Sequence, residues 1–287
     1  LIKYVMALMN GARLGIAAQS VGVSELAYRE AYQYALERRQ FGKAIIEFPA
    51  VAEILATMKA KLDASRALLY ECSRFVDMYK LYGDISRERS LTADERAEMK
   101  HYSKLADALT PLAKGLGSEY CNQNAYDCIQ IHGGSGFMKD YACERIYRDA
   151  RITSIYEGTT QLQVVAAIRH VTTGTYSSLI STYAEAGYPA ELAPMAETLS
   201  ALTEKYNAAV AKVTEANNPA LLDFMARRLV EMAGYIIMSY LLLQDAKVDQ
   251  SFLNSATVYV NYTRAEVEKH AEFIANFDAA QLAAYGI

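Results

Sequence analysis

Residues that end helices are scarce and widely spaced in this sequence. Its 287 residues include 15 glycines and 5 prolines, about 7% of the chain, where an average protein carries roughly 12%. Apolar residues recur three and four positions apart, as in Val51, Ile54, Leu55, Met58 and Leu62, which is the spacing of one helix face. Alternation typical of strands is nearly absent. The pattern predicts an all-α fold, an up-and-down helical bundle with an additional helical extension.

The first interruptions of the apolar spacing separate two long predicted helices. The apolar spacing holds from Leu1 to Arg38, fails over residues 39–48 and resumes after Pro49. Proline suits the first turn of a helix, where its missing N–H would have no partner in any case. The second helix is expected to end at a charged, weakly apolar link over residues 81–91.

A pair of polar residues marks the start of the third helix. Thr92 and Glu95 stand at the spacing of a capping box, in which each side chain bonds the backbone N–H of the other residue. The helix is expected to run towards Ile131, with Pro111 kinking or restarting it and Gly133 ending it. Two shorter helices are then expected at residues 140–149 and 159–170.

The chain changes character after Thr172. The turn-rich residues that follow it predict a boundary. We therefore expect a helical bundle over residues 1–172 and a helical extension over residues 173–287. Breaks near Pro189 and at residues 217–219 divide the extension into further helices.

Charge and hydropathy argue against two classes of protein. Lys and Arg number 29 against 33 Asp and Glu, a formal net charge of −4, and no basic patch is dense enough to suggest nucleic-acid binding. The longest strongly apolar run without a charge, Met232 to Gln244, is shorter than the ~18 residues that suggest a membrane span. No signal-peptide pattern opens the chain. These features predict a soluble, cytoplasmic protein.

The cysteines and histidines show no metal-binding motif. No pair of cysteines has the Cys-x-x-Cys spacing, so buried free thiols are expected rather than a zinc site or a disulfide scaffold. The cysteines are Cys72, Cys121, Cys128 and Cys143. Three histidines stand isolated, and each is expected to be structural: His101, His170 and His270. No metal is predicted.

One segment combines features of a reactive loop. Glu157 lies just ahead of an expected helix start, Gly158 would let the backbone approach a ligand closely, and Thr159 is a natural helix cap. The helix dipole alone also favours an acidic residue at this position, so the segment does not require a function.

Two other segments are equally open to a structural interpretation. The glycine-rich stretch Gln130–Phe137 fits the end of a helix. Arg38, Gln40 and Phe41 fit an ordinary helix exit, where a cation complements the dipole. Taken singly, each of these segments is a weak signal.

In this order and spacing, the segments together resemble the C-terminal half of an acyl-CoA dehydrogenase. The resemblance covers about residues 1–171, and the tail resembles bacterial members that carry a C-terminal helical extension. It rests on four motifs: Tyr34–Lys43, Gln130–Phe137, Arg148–Arg151 and Ile155–Gln161.

The resemblance implies a catalytic role for Glu157. This residue matches the base that removes the proton α to a thioester while the β-hydride passes to flavin N5. Its backbone N–H would help to hold the developing enolate. Tyr156 and Gly158 would line the substrate entrance, and Arg13 matches an arginine that helps to hold the CoA portion. Some members place the base one residue before that arginine; here this position is Ala12, which cannot take a proton, so Glu157 is the candidate.

The resemblance also implies FAD as cofactor, bound between two chains. One group of residues would reach the FAD of the neighbouring subunit, with Arg38 at the pyrophosphate and Gln130 and Gly134 near the adenylate. This group comprises Arg38, Gln40, Phe41, Gln130 and Gly134. A second group, Thr159 and Gln161, would contact the subunit's own FAD. A homodimer or homotetramer is therefore expected. His132 matches no catalytic role and is expected either to be a packing residue or to fill space beside the adenine.

Complete members of the family carry two further domains, one helical and one β. Neither is seen here and the chain opens at Leu1 rather than Met, so we expect a piece of an acyl-CoA dehydrogenase that is inactive by itself. Acyl-CoA would be the substrate and an electron-transfer flavoprotein the acceptor. Two alternatives remain open. One is a non-catalytic helical assembly or binding module; the other is an acyl-CoA oxidase or flavin monooxygenase relative, though Glu157 disfavours the monooxygenase.

Overall fold

The computed structural model describes residues 2–287, with side chains from Leu8 onwards; Leu1, the residue on which the chain opens, lies outside the described residues. Within this range the protein is almost wholly helical, which confirms the all-α prediction. The α-helices are α1 Ile2–Glu37, α2 Pro49–Glu88, α3 Ala93–His132, α4 Gly134–Phe137, α5 Cys143–Thr153, α6 Thr160–Thr172, α7 Thr175–Ala184, α8 Ala193–Glu215, α9 Pro219–Val248 and α10 Leu253–Asn276. Strands β1 (Arg39–Gln40) and β2 (Lys43–Ala44) form a short antiparallel hairpin after α1.

Helices α1, α3 and α5 pack together in the first of two compact units, which contains residues 1–58 and 65–160. Three buried alanines at four-residue spacing, Ala27, Ala31 and Ala35, lie along α1 in its core. Small side chains at this spacing place a narrow ridge on one helix face and allow neighbouring helices to approach closely. Larger buried side chains fill the rest of this core: Ile45, Leu55, Met58, Cys121, Cys128, Ile131 and Ile146.

Helix α3 begins and ends where the sequence predicts. The Glu95 N–H donates to Thr92 Oγ1 at 3.2 Å, and the Thr92 N–H donates to the Glu95 carboxylate at 2.8 Å, which completes the capping box. Gly133 caps the C-terminus at φ 60°, a value that glycine adopts without steric cost. The helix does not restart at Pro111 but continues through it.

The second compact unit contains residues 59–64 and 161–287. Within it α9 contacts α7, α8 and α10, and nearly every side chain from Met232 to Leu243 is buried. The expected break before Pro219 is confirmed, since the Asn218 side chain accepts the Leu221 N–H at 3.2 Å and caps α9. A run that is apolar on all faces therefore forms a central helix of this unit. In the described part of the chain, no helix is both long and apolar enough to cross a membrane.

Two expected element boundaries are wrong. The link predicted over residues 81–91 is largely helical, because α2 continues to Glu88. Polar pairs within the helix support this last turn: Arg87 contacts Asp84 at 2.9 Å, and Ser86 Oγ donates to a carbonyl one turn earlier. The helix predicted over 140–149 is displaced and occupies Cys143–Thr153.

Candidate functional site

Glu157 lies in a tight turn between α5 and α6. Its φ is 54°, and that of Gly158 is 95°, so two successive residues have left-handed backbones. For a residue with a Cβ, this conformation costs on the order of 1–2 kcal/mol and persists where neighbouring contacts enforce it. One such contact closes the turn: the Thr160 N–H donates to the Ser154 carbonyl at 3.2 Å.

Two buried cations hold the two carbonyls of this turn. Arg13 Nε on α1 donates to the carbonyl of Glu157 at 3.4 Å, and Lys114 Nζ on α3 donates to the carbonyl of Gly158 at 2.6 Å. Arg13 is 6% exposed and Lys114 is fully buried. The structure therefore brings Arg13 against the Glu157 turn, a contact that the sequence analysis did not predict, and adds Lys114, which the sequence analysis did not identify.

The surroundings of Lys114 lower its pKa to about 8. Burial is the largest cause because it disfavours the charged form, and the positive charge of Arg13 acts in the same direction. The carboxylates of Glu119 and Glu157 oppose this shift. The turn thus carries a cation that changes charge just above neutral pH.

The other predicted residues of this segment lie on or next to the turn. The Tyr156 hydroxyl donates to the side chain of Gln19 on α1. Thr159 is exposed and directly precedes α6, and the next residue, Thr160, donates from its hydroxyl to Glu119 at 2.5 Å. Gln161 is exposed in the first turn of α6 and belongs to the second compact unit.

The five residues expected to reach a neighbouring subunit's FAD line a single pocket of about 640 Å³. The turn of the β1–β2 hairpin, Phe41 at φ 49° and Gly42 at φ 85°, has two successive left-handed residues, as in the tight turns that suit the twist of a hairpin. Phe41 is 94% exposed. The pocket-lining residues from the prediction are Arg38, Gln40, Phe41, Gln130 and Gly134.

The glycine-rich segment contributes open backbone to this pocket. A Cβ added to Gly134 would meet no heavy atom within 4 Å, so the space in front of this backbone is free for a ligand. Gly136 has a different role: a Cβ there would lie 2.7 Å from the Ile129 carbonyl oxygen and 2.8 Å from His132 Cβ. Gly134 therefore leaves room, whereas Gly136 permits tight packing.

His132 also lines this pocket and is buried. Its ring stacks on Tyr34 with 4.2 Å between ring centroids and meets Tyr141 edge-on. Its Nδ1 bonds the Cys128 carbonyl at 2.7 Å. These contacts agree with the expected packing role.

The fold also brings together three potential metal ligands that are dispersed in the sequence. Among the described residues, Cys128, His132 and Cys143 each offer a ligand atom within 4.8 Å of the others. Burial raises the pKa of both thiols, and Cys143 Sγ donates to the Gly136 carbonyl at 3.4 Å. A structural zinc site takes four ligands with thiolate sulfur, so we interpret these protonated thiols as core packing. All four cysteines are free and buried, which confirms that expectation.

Comparisons with known proteins match both parts of the chain. The family model for the acyl-CoA dehydrogenase C-terminal domain matches residues 2–172, and a second model, acyl-CoA dehydrogenase C terminal, matches residues 172–282. The first match covers more than half of the chain. A crystal structure of an acyl-CoA dehydrogenase complexed with FAD from Bacillus anthracis superposes with a TM-score of 0.73 at 22% identity, over 98% of this chain and 52% of that one.

Two characterised relatives match the first part of the chain. Subunit CarC of the caffeyl-CoA reductase–Etf complex of Acetobacterium woodii is 40% identical over 158 residues, which are 55% of this chain and 35% of CarC. The short-chain specific acyl-CoA dehydrogenase of Megasphaera elsdenii is 32% identical over 163 residues, 57% of this chain and 36% of that enzyme. The matched segment thus spans about a third of each relative.

The helical bundle and the two family-model matches define this chain as the C-terminal region of an acyl-CoA dehydrogenase. The chain belongs to the acyl-CoA dehydrogenase family, and its extension matches a C-terminal domain of that family.

Proposed function

We propose that this chain is the C-terminal part of an FAD-dependent acyl-CoA dehydrogenase that introduces an α,β double bond into acyl-CoA thioesters. The observation that carries the proposal is the Glu157 turn, whose left-handed backbone is held by Arg13 and Lys114. A strained residue fixed by buried charges from two separate helices is a frequent feature of catalytic sites. Membership of the family and the matching motif support the same role.

In this proposal Glu157 is the base. Its carboxylate removes the weakly acidic α-proton of the thioester, and its backbone N–H donates to the thioester oxygen as negative charge develops there. Arg13 donates to the carbonyl of Glu157, and Lys114 donates to the carbonyl of Gly158. The two cations therefore hold the two peptides that flank the Gly158 α-carbon. Because a trans peptide directs its carbonyl and the following N–H to opposite sides, these bonds fix the direction of the Gly158 and Thr159 N–H groups, which directly follow the base in the chain.

The pocket at the end of α1 fits part of an FAD. Arg38 offers a guanidinium suited to a pyrophosphate, Gln130 offers an amide, and Gly134 offers backbone with open space in front of it. FAD, when bound, supplies the acceptor for the hydride from the β-carbon.

A homodimer or homotetramer is part of the proposal. The two predicted FAD regions belong to different ends of α1: Arg13 contacts the catalytic turn, whereas Glu37 adjoins the pocket. At a rise of 1.5 Å per residue, these positions lie roughly 36 Å apart, more than one FAD molecule reaches. The pocket of one subunit and Thr159 of the same subunit would therefore serve different FAD molecules.

Acyl-CoA is proposed as substrate and an electron-transfer flavoprotein as acceptor. One relative is named as a subunit of an Etf complex and another as a short-chain acyl-CoA dehydrogenase. The same Etf-complex relative is named a reductase, which favours a second candidate function, reduction of an enoyl-CoA thioester by the same site. Incubation of the reduced holoenzyme with enoyl-CoA separates the two directions.

The decisive experiment is anaerobic bleaching of the flavin absorbance in the complete holoenzyme, across acyl-CoA substrates of increasing chain length. We expect bleaching by at least one substrate and its loss in Glu157→Gln, whereas Glu53→Gln, an exposed carboxylate on α2, should behave as the wild type. Normal bleaching by Glu157→Gln would support a different base or the non-catalytic module. Rapid reoxidation of the reduced enzyme by oxygen would support the oxidase.

Two further parts of the proposal concern the chain itself. We propose a functional boundary at residue 172, which the two family-model matches support, and a cytoplasmic location, which the four free thiols support. We also propose that the 287-residue chain alone lacks turnover, because the relatives use sequences about three times as long as the matched segment. An acceptor-dye assay on the purified chain tests this, and robust turnover would contradict it.

A further inference from the structure

The side chain of Lys114 is fully buried, although lysine is among the residues least often buried. It lies on α3, and its Nζ donates to the carbonyl of Gly158, 44 residues later in the chain, at 2.6 Å. Removing an ammonium group from water carries a large free-energy cost. A site that keeps this cation against the catalytic turn therefore has a use for the charge.

The position of Lys114 relative to the turn suggests that use. Arg13 holds the carbonyl of Glu157 and Lys114 holds that of Gly158, so consecutive peptides are oriented by separate cations. Glu157 and Gly158 both have positive φ values. Glu157 would leave this conformation if the neighbouring contacts did not support it. Lys114 fixes the second peptide through its bond to the Gly158 carbonyl.

The charges around Lys114 come from three elements. Arg13 faces it from α1, Glu119 from its own helix, and Glu157 from the turn. Glu119 in turn accepts the Thr160 hydroxyl at 2.5 Å, at the start of α6. The charge of Lys114 thus interacts with the carboxylate of the base and with a second carboxylate that bonds the residue ending the turn.

We propose that Lys114 is a positioning residue for the proposed base: its ammonium group fixes the peptide between Gly158 and Thr159 and offsets the negative charge of the Glu157 carboxylate in the substrate complex. This inference rests on the proposed function. The residue does not touch the reacting atoms, and it acts through the turn.

The proposal predicts a specific pH dependence. The lowered pKa of Lys114, about 8, means that its positive charge is present at neutral pH and is lost in mildly alkaline solution. Activity should fall as this charge disappears. Arginine stays charged throughout this range, so Lys114→Arg should move the alkaline decline to higher pH. Lys114→Met removes both the charge and the donor and should abolish this alkaline transition.

The test compares Lys114→Met and Lys114→Arg in the complete holoenzyme, with Lys104→Met as the control, since Lys104 is exposed on the same helix. Steady-state kcat and KM are measured from about pH 6 to about pH 9.5, together with FAD content and thermal unfolding. A misplaced catalytic group commonly costs about 100-fold, so we expect kcat of Lys114→Met to fall about 10- to 100-fold with little change in KM. Lys104→Met should match the wild type.

Two results would overturn the proposal. One is that Lys114→Met keeps the wild-type kcat and the wild-type decline of activity at alkaline pH. The other is that the activity of Lys114→Arg declines at the same alkaline pH as that of the wild type. If Lys114→Met does not fold, the pH at which the activity of Lys114→Arg declines is the deciding measurement. If neither variant folds, a wild-type rate that does not decline above about pH 8 overturns the proposal. Activity that survives Glu157→Gln contradicts the proposed function instead, whereas an inactive Glu157→Gln beside a normal Lys114→Met contradicts only the role of Lys114.

Discussion

The guanidinium of Arg13 reaches the main-chain carbonyl of Glu157 across 144 positions of sequence, with 3.4 Å between Nε and the carbonyl oxygen. Arg13 Nη1 also donates to Asn10 Oδ1 at 3.3 Å, and Asn10 Nδ2 donates to Asp107 on α3 at 3.4 Å. The arginine is thus oriented by a chain of polar contacts that starts on α3. A residue expected only to hold CoA also supports the proposed base.

Replacing Arg13 by lysine should impair the holoenzyme although the positive charge is kept. Lysine cannot donate in two directions from a planar group, so the carbonyl of Glu157 or the side chain of Asn10 loses its partner. A hydrogen bond from a charged group contributes about 1.5–3 kcal/mol, so kcat/KM should fall by about tenfold or more. The measurement is steady-state turnover of acyl-CoA. Arg29→Lys, on the exposed face of α1, is the control, and equal activity of the two variants would contradict the prediction.

The two glycines at 134 and 136 should respond differently to alanine. Gly136→Ala should destabilise the fold by about 1–3 kcal/mol, as overpacking does, because its Cβ would lie 2.7 Å from the Ile129 carbonyl oxygen. Gly134→Ala has open space for a methyl group. It should unfold like the wild type but bind FAD more weakly.

Thermal unfolding and FAD titration by flavin fluorescence separate these two effects. The pair serves as its own control, since the variants carry the same substitution two residues apart. A destabilised Gly134→Ala, or an unchanged FAD affinity, would contradict the assignment of that backbone to the cofactor pocket.

Lys114 should make folding stability depend on pH above neutrality. The pKa of Lys114 is about 8 in the folded protein, whereas its ordinary value, which applies to the unfolded chain, is 10.5. The unfolded chain therefore binds the proton more tightly than the folded protein does. The charged form therefore costs the folded state up to about 3 kcal/mol at pH 7. This cost is lost as pH rises from about 8 towards 10.5, and stability increases accordingly.

The comparison with Lys114→Met isolates this effect, because thiols and tyrosines titrate equally in both proteins. The free energy of unfolding of the wild type, relative to the variant, should rise over this pH interval. Lys114→Met also loses the hydrogen bond to the Gly158 carbonyl. This loss adds to the difference in unfolding free energy but does not follow the same dependence on pH. Urea unfolding at several pH values measures the difference, and a difference that stays constant with pH would contradict the lowered pKa.

Local sequence signals predict the parts of the fold that depend on neighbouring residues. The capping box of Thr92 and Glu95 specifies the start of α3, and Gly133 specifies its end. The failure of the apolar spacing over residues 39–48 marks the break after α1, although it does not predict the hairpin, because the two strands are only two residues long. The link after α2 was misjudged because its charged residues pair within the helix rather than ending it.

The site shows where local signals end. Motif order predicts Glu157 and the residues of the pocket at Arg38, and in the structure those five residues line one pocket. Their individual roles remain predictions. Lys114 lies in a helical stretch with no motif of its own, and its proposed role depends on a contact with a residue 44 positions away in the sequence. The grouping of Cys128 with Cys143 likewise depends on how α3 and α5 pack.

The extension offers a test that is independent of catalysis. On α9, Glu231 contacts Arg227 at 2.8 Å and His270 of α10 at 3.1 Å. Burial alone would raise the pKa of Glu231, but the ion-pair contact with His270 and the hydrogen bond from Arg227 outweigh it and lower the pKa below its ordinary value of 4.5. A lowered carboxyl pKa stabilises the fold above the unfolded pKa, and this contribution is lost as pH falls through the folded value. Glu231→Gln should therefore destabilise the protein by about 1–2 kcal/mol at pH 7, and the difference should shrink on acidification below pH 4.5.

Glu268→Gln, which breaks an exposed pair with Lys205, is the control and should cost less than about 1 kcal/mol. Urea unfolding at neutral and acidic pH measures both variants, and an undiminished Glu231→Gln effect at low pH would show that its carboxylate charge does not stabilise the extension.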